Sequence, residues 1–207
     1  MFGNHEVEKG SGKRIRFHDG GGEQDVSCEI VLCYDPAMKT DANITLIGMP
    51  AAGKSTVGRL LADDLGLAFM DTDRLIEQRE GKTLHEIIDG QGMDGFRHVE
   101  ESHVLGIRTR HTVISTGGSV VYGERAMAHL KRLGIVVYLR AGLDLLLQRL
   151  DDPEKRGVVR KQGQSFASLF EERDTLYLRY ADRVVNCPDG ESPRATAERV
   201  RRALTGL

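Results

Sequence analysis

The chain has 207 residues, of which 40% are hydrophobic and 29% charged, and its formal net charge is -2. This length suffices for one α/β domain with a real core, and the near-neutral charge excludes a general basic field, so we expect no nucleic-acid partner. No apolar run reaches the length of a membrane span, the N-terminus lacks an apolar signal core, and three scattered cysteines are too few for a disulfide framework. We therefore expect a cytoplasmic protein without a membrane partner.

The first 41 residues differ in composition from the rest. Residues 10–22 are glycine-rich and polar, which is typical of a loop or a flexible tail. Residues 29–34 are apolar after Glu29 and could form one short strand at a sheet edge. We predict that residues 1–41 form an N-terminal extension, either flexible or contributing one added strand, and that residues 42–207 form the main domain.

From residue 44 onward, short apolar runs rich in β-branched residues alternate with segments of helical periodicity. Strands are predicted at 44–47, 67–71, 112–115, 135–139 and 183–186. Helices are predicted after residue 55, around 75–79, around 84–88 up to a break at 90–92, and at 96–107, 126–133, 143–150, 166–180 and 193–204. This alternation predicts a parallel sheet with helices on both faces and ligands at the carboxyl ends of the strands.

A glycine motif separates the first predicted strand from the first predicted helix. Gly48 is followed by four residues and then by Gly53, Lys54 and Ser55, which is the phosphate-loop pattern. The glycines let the backbone approach phosphate oxygens, which the loop N–H groups and the helix N-terminus then bind. Lys54 supplies a charge for the terminal phosphates, and the Ser55 hydroxyl suits Mg²⁺. The motif therefore predicts a site for ATP and Mg²⁺.

Two more polar segments directly follow predicted strands. Asp71 and Asp73 flank a threonine after the second strand, where one carboxylate could serve Mg²⁺ and the other could accept a proton from a substrate hydroxyl. Helix capping is the alternative, because Asp and Thr favour that position, although the nearby phosphate loop favours catalysis. Gly117 and Gly118 follow the third strand, and their N–H groups could donate to a ligand. An ordinary turn is the alternative there.

Three arginines lie in segments that could converge on the strand ends: Arg97, Arg156 and Arg173. Phosphoryl transfer depends on positioning and charge neutralisation, and a guanidinium suits a carboxylate or a phosphate. A solvated surface position is the alternative for each of them. Residues 151–164 are polar and basic and contain proline and glycine, so we predict a mobile lid there with Arg156 as its arginine.

Over residues 43–204 the chain resembles the shikimate kinase family. The resemblance is carried by motifs in a fixed order: GMPAAGKST at 48–56, DTD at 71–73, FRHVEE at 96–101, STGGS at 115–119, the arginine-bearing loop at 151–164 and ERDTLY at 171–177. It implies a phosphate-loop NTPase fold with a five-stranded parallel sheet in the order 2-3-1-4-5. It also implies transfer of the ATP γ-phosphate to the 3-hydroxyl of shikimate.

The resemblance also implies roles for individual residues. The implied ATP-binding residues are Gly48, Ala51, Ala52, Gly53, Lys54, Ser55, Thr56, Arg149 and Arg156, with Arg149 stacked on adenine. Ser55 and Asp71 would hold Mg²⁺. The implied shikimate-binding residues are Asp73, Arg97, Gly117, Gly118 and Arg173. The implied catalytic residues are Asp73 as the base, Lys54 and the lid residue Arg156.

The chain departs from the family pattern at Ser119, where a third glycine is usual, and at Gly157 and Thr175, where proline is usual. Ser119 would add bulk and a hydroxyl beside the substrate, and Gly157 would loosen the lid. One alternative function is therefore a divergent kinase for another hydroxylated acid or sugar. A second is a nucleotide-binding regulatory module without turnover, which the N-terminal extension suggests. We expect a monomer whose partner is a small-molecule substrate.

Overall fold

A computed structural model describes residues 42–150 and 163–205 of the chain. The predicted N-terminal extension and nearly all of the predicted lid, including Arg156 and Gly157, lie outside the described residues. The strands are β1 (Asn43–Ile47), β2 (Ala68–Asp71), β3 (Thr112–Ser115), β4 (Gly134–Ala141) and β5 (Arg183–Cys187). The helices are α1 (Lys54–Leu65), α2 (Thr72–Glu80), α3 (Leu84–Leu105), α4 (Glu124–Leu133), α5 (Leu143–Leu150), α6 (Phe166–Tyr180) and α7 (Pro193–Thr205).

The five strands form one parallel sheet in the order β2-β3-β1-β4-β5, with helices on both faces, so the predicted fold class is confirmed. The strands β1 and β3 are buried along their whole length, as expected for parallel strands covered on both faces. The edge strands β2 and β5 are only partly buried. The centre of the sheet is therefore buried, and the site lies at the ends of its strands.

Helices bury apolar stripes against the sheet, whereas Ile76 of α2 and Ile87 and Phe96 of α3 form a separate small cluster. In α1, for example, Val57, Leu61 and Ala62 are at most 2% exposed, while Asp63 on the other side is exposed. Burying one such aliphatic side chain stabilises the fold by about 1.5 to 3 kcal/mol. Within the described ranges, no helix has both the length and the apolarity needed to cross a membrane.

Within residues 42–150 and 163–205 the predicted strands and helices are present, but some of their ends were wrong. Leu67 is not part of β2, because Gly66 closes α1 in the left-handed conformation and the Leu67 N–H donates to the Ala62 carbonyl. The predicted break at 90–92 is a kink within α3, at which Gly92 has a φ of +71°. A short 3₁₀ turn, Val120–Tyr122, had not been predicted.

Candidate active site

The register of the sheet brings three polar segments to one edge. Asp71 at the end of β2 pairs with Ser115 at the end of β3, and Ser115 also pairs with Leu46 of β1. Because the strands are parallel, the loops that follow them leave from the same side. The phosphate loop, residues 48–55, therefore lies next to Asp71 and to the glycines after β3, as the sequence predicted.

The phosphate loop has the backbone of an anion cradle. Gly48, Ala51 and Gly53 have φ values of +146°, +64° and +93°, so the chain turns tightly, as backbone segments that bind anions do. A side chain at Gly48 would meet the Leu139 carbonyl at 2.7 Å, which explains the glycine there. The Lys54 ammonium donates to the carbonyls of Gly48 and Met49, each at 2.9 Å.

Lys54 is only 8% exposed, and burial lowers the pKa of its ammonium to about 8. Two of its three N–H donors close the loop, so one donor remains for a ligand. A buried cation with a spare donor in a tightly turned glycine loop fits a polyphosphate. This arrangement matches the predicted role of the loop.

A hydroxyl–carboxylate pair lies beside the loop. Ser55 Oγ donates to Asp71 Oδ2 at 2.7 Å and lies 3.2 Å from Ser115 Oγ. Asp71 Oδ1 accepts the N–H groups of Asp73 and Arg74, so Asp71 also caps α2. Capping and metal binding are therefore compatible for Asp71, since they use different oxygens. Mg²⁺ favours one or two protein oxygens together with phosphate oxygens, and this pair fits it.

On the other side of the loop lies a cavity of about 350 Å³. The residues that line this cavity are Ala51, Ala52, Gly53, Thr56, Val57, Arg149, Glu191, Pro193 and Thr196. Arg149 Nη1 lies 3.4 Å from the Ala51 carbonyl and donates to it, so the guanidinium is held against the loop. The predicted adenine-stacking residue and the loop residues Ala51, Ala52 and Thr56 thus share one concave surface.

Beyond the hydroxyl–carboxylate pair lies a group that we call the carboxylate–arginine cluster: Asp73, Arg97, Glu100, Gly117 and Arg173. Arg173 and Glu100 are only 1% and 2% exposed. Asp73 Oδ1, Glu100 Oε1 and Arg97 Nε are buried and have no hydrogen-bond partner among the described residues. Buried polar atoms in folded proteins normally have partners, so unpaired atoms in one place indicate a polar ligand.

The two carboxyl groups of the cluster have perturbed acidities. Burial, together with the charge of Asp71, raises the pKa of Asp73 to about 6. Burial also raises the pKa of Glu100 to about 7, although its hydrogen bond with Ser119 acts in the opposite direction. A carboxylate with such a pKa is a better proton acceptor than an ordinary one, and this suits the predicted base Asp73.

The two arginines meet at one aromatic ring. The guanidinium carbon of Arg97 lies 4.1 Å from the centre of the Tyr122 ring, and that of Arg173 lies 5.3 Å from it. Arg173 Nε also donates to the Tyr122 hydroxyl at 3.4 Å. Both predicted arginines thus lie together at the strand ends rather than in isolated surface positions.

The glycine segment behaves differently from the prediction. The Gly117 N–H donates to Thr72 Oγ1 at 3.2 Å, so this N–H has an internal acceptor, and its predicted donation to a ligand stays a prediction. The Gly118 carbonyl accepts from the Tyr177 hydroxyl at 2.7 Å. The Ser119 hydroxyl, which we expected beside the substrate, donates to Glu100 Oε2 at 2.7 Å. Gly117 still contributes to the cluster, because a Cβ there would meet Glu100 Oε1 at 2.5 Å and Asp73 Oδ1 at 2.6 Å.

Sequence reasoning assigned no role to Glu100, Ser115 or Tyr122. Glu100 could have been found, because it follows Arg97 by three residues and therefore lies on the same face of α3. Ser115 could have been found from its position at a strand end. No sequence signal marked Tyr122, because its position depends on the unpredicted 3₁₀ turn.

The fold and site define a class of protein, a phosphate-loop kinase in which a buried carboxylate–arginine cluster lies beside the phosphate loop. The family model described as shikimate kinase matches residues 50–205. A shikimate kinase of Alteromonas mediterranea is 37% identical over 166 residues, which are 79% of this chain and 96% of that protein. A second, of Pseudomonas paraeruginosa, is 38% identical over 168 residues, 80% of this chain and 97% of that protein. The chain therefore belongs to the shikimate kinase family.

The solved structures agree. A shikimate kinase from Acinetobacter baumannii, in complex with shikimate, matches with a TM-score of 0.74 and 32% identity, over 82% of this chain and 96% of that one. Another solved shikimate kinase, from Aquifex aeolicus, matches with a TM-score of 0.67 and 30% identity, over 79% of this chain and 96% of that one.

Proposed function

We propose that the protein transfers the γ-phosphate of ATP to the 3-hydroxyl of shikimate, giving shikimate 3-phosphate for aromatic amino acid biosynthesis. The observation that carries this proposal is the carboxylate–arginine cluster, buried beside a complete phosphate loop in a chain of the shikimate kinase family. Shikimate has one carboxylate and several hydroxyls. It therefore needs guanidinium groups for the acid and acceptors for the hydroxyls, and the cluster offers both.

Asp73 is the proposed base. It takes the proton of the attacking hydroxyl at a carboxylate whose pKa burial has raised to about 6, so it is ionised at neutral pH and still basic enough to accept the proton. Arg97 and Arg173 hold the substrate carboxylate. This binding fixes the orientation of the hydroxyl, which is most of what phosphoryl transfer requires of a protein.

Lys54 neutralises charge on the terminal phosphates from its position inside the loop. Ser55 and Asp71 would hold Mg²⁺, which when bound neutralises phosphate charge and keeps the phosphates in line. The cavity beside Arg149 would take adenine. Arg156 is proposed as the lid arginine on its sequence motif alone, because it lies outside the described residues.

The division of the chain also remains a proposal: residues 42–207 as the kinase domain and residues 1–41 as an extension. We propose a monomer, because all the groups assigned to ATP and shikimate come from a single chain. We place its work in the cytoplasm, where ATP is available, with no nucleic-acid or membrane partner.

The test measures ADP release from Mg·ATP in a coupled assay, with and without shikimate. Mass spectrometry of the acceptor then shows whether it has gained a phosphate. We expect strong shikimate-dependent release, with one phosphate gained by shikimate. ATP binding without release for any acceptor would instead support the regulatory module.

A second candidate, a kinase of another hydroxylated acid or sugar, is favoured by one observation. Ser119 is 3% exposed and bonded to Glu100 within the cluster, at a position where the family usually has glycine. A panel of hydroxylated acids and sugars in the same assay separates the two functions. A higher kcat/KM for any other acceptor than for shikimate would reject shikimate as the true substrate.

A further inference from the structure

The Ser119 hydroxyl is the one departure from the family pattern that reaches the carboxylate–arginine cluster among the described residues. Ser119 precedes the 3₁₀ turn and is 3% exposed. Its Oγ donates to Glu100 Oε2 at 2.7 Å. A hydroxyl donating to a buried carboxylate stabilises the charged form, because little water is present to do so. Ser119 therefore acts on Glu100 rather than on the substrate directly.

The other oxygen of Glu100 is directed into the cluster. Glu100 Oε1 has no hydrogen-bond partner among the described residues, and it lies against the same face of Gly117 as Asp73 Oδ1. With Oε2 held by Ser119, the side chain cannot rotate without losing that bond. The negative charge of ionised Glu100 is thus fixed close to the proposed binding site of an anionic acceptor.

The charge of Glu100 is finely balanced by its surroundings. Charged or titratable groups face it from every element around it: Lys54 of α1, Asp73 of α2, Arg97 of α3, and Arg173 and Tyr177 of α6. Arg125 of α4 pairs with the neighbouring Glu101 instead, and Tyr122 of the 3₁₀ turn contacts the arginines. Burial and Asp73 raise the pKa of Glu100 while the Ser119 hydrogen bond and the two arginines lower it, and the balance is a pKa of about 7, so a change in this hydrogen bond alters the charged fraction at neutral pH.

We propose that Ser119 is a positioning residue that acts through Glu100. Its hydrogen bond favours the charged carboxylate, so Glu100 ionises at a lower pH than it would without this bond. Once Glu100 is ionised, an anionic acceptor binds more weakly. The proposal rests on the proposed function in taking shikimate as the acceptor. An acceptor carboxylate stays ionised throughout the neutral range. It is attracted by Arg97 and Arg173, and ionised Glu100 reduces that attraction.

The first experiment compares the protein with Ser119→Ala, measuring KM for shikimate and kcat from pH 6 to 9 at saturating Mg·ATP. In the parent, KM should rise as Glu100 ionises. In Ser119→Ala the midpoint of this rise should move up by about 0.5 to 1 pH unit, the worth of one buried hydrogen bond. Ser119→Thr keeps the hydroxyl and should keep the parent midpoint.

Glu100→Gln is the matched second variant, because its amide oxygen can accept the Ser119 bond but cannot ionise. Asp73, with a pKa of about 6, and Lys54, with a pKa of about 8, also titrate in this range and contribute their own changes to KM. In Glu100→Gln the step near pH 7 should be lost, whereas those other changes remain. Adding Ser119→Ala to Glu100→Gln should then leave the pH profile of KM as it is in Glu100→Gln alone. An unshifted midpoint in Ser119→Ala, or a step near pH 7 that persists in Glu100→Gln, overturns the proposal.

A measurement without turnover separates this proposal from the proposed function. The carboxyl ¹³C resonance of Glu100, assigned by its loss in Glu100→Gln, should titrate about 0.5 to 1 pH unit higher in Ser119→Ala than in the parent. Equal titration midpoints would reject the role of Ser119 even if shikimate is phosphorylated. If the parent fails to phosphorylate shikimate but the Glu100 resonance still titrates higher in Ser119→Ala, only shikimate as the substrate is rejected.

Discussion

The phosphate loop and the carboxylate–arginine cluster lie at the same edge of the sheet but are built differently. The loop occupies eight consecutive residues, 48–55, and acts through backbone N–H groups and one lysine held by its own carbonyls. The cluster draws its five members from α2, α3, α6 and the segment after β3. The loop satisfies its buried charge locally, whereas the cluster leaves three polar atoms unpaired among the described residues.

This difference separates two tasks. A continuous backbone motif can bind a ligand that many kinases share, because its geometry depends on few side chains. A cluster gathered from distant segments can distinguish acceptors, because each side chain can change independently of the loop. Damage to the loop should therefore abolish all turnover. Damage to the cluster should change acceptor use and leave ATP binding nearly intact.

Lys54→Met should have the largest effect. Removing the buried charge should lower turnover by roughly a thousandfold or more, because fixed charge at a transferring phosphate contributes on that scale. The coupled ADP assay measures the loss. Lys82→Met, at an exposed position in the turn before α3, is the control and should retain parent activity. Near-normal turnover in Lys54→Met would refute the role of the loop.

Asp73→Asn should come next. Loss of the base should lower kcat by about a hundredfold to a thousandfold, while the Kd of ATP changes little, since a base acts mainly in the transition state. Turnover assays and titration calorimetry with nucleotide measure the two effects. Asp63→Asn, on the exposed side of α1, is the control. A loss of ATP affinity as large as the loss of kcat would contradict the assignment.

Gly117→Ala should have a smaller effect on the same reaction. A Cβ would lie 2.5 Å from Glu100 Oε1 and 2.6 Å from Asp73 Oδ1, so both carboxylates must shift. Such a displacement should lower kcat/KM for shikimate by about tenfold to a hundredfold, with ATP affinity retained. In Gly142→Ala, the new Cβ meets nothing within 4 Å, and activity should be kept. Equal activity in the two variants would show that the cluster tolerates displacement.

The smallest expected effect concerns stability. Burial raises the pKa of Asp73 from 3.8 to about 6, so folding takes up a proton between these pH values. The free energy of unfolding therefore falls as pH rises through this window. Asp73→Asn should be more stable than the parent at pH 7.5, by on the order of 1 to 3 kcal/mol, and should lose this advantage below pH 4. Urea denaturation with EDTA measures this, and the same difference at both pH values would contradict it.

The loop was predictable from sequence because its information is contiguous. Gly48, Gly53, Lys54 and Ser55 have fixed spacing, and the flanking strand and helix follow from local periodicity. The strand order was predicted only through the family resemblance, since periodicity does not say which strands pair. Asp73, Arg97 and Arg173 were candidates from their positions relative to the predicted strand ends, the resemblance implied their roles, and the structure gathers them in one place.

Contacts between distant segments could not be predicted. The Ser119–Glu100 bond joins residues 19 positions apart, and its existence depends on how α3 packs over the 3₁₀ turn. The bond from the Gly117 N–H to Thr72 depends likewise on the register of β2 and β3. The sequence did not indicate that Thr72 would lie within hydrogen-bond distance of the Gly117 N–H.

The contacts of Tyr122 with two arginines have a consequence for how acceptor specificity evolves. Its ring contacts Arg97 of α3 and Arg173 of α6, so a change of either arginine alters the packing of the ring against the other. Substitutions at these two positions should therefore be epistatic, with a double change costing less than the two single changes together. A lineage that evolved toward a different acceptor would have to pass through linked changes at three positions. The contacts of the Tyr122 ring thus restrict the order in which substitutions at these positions could change acceptor specificity.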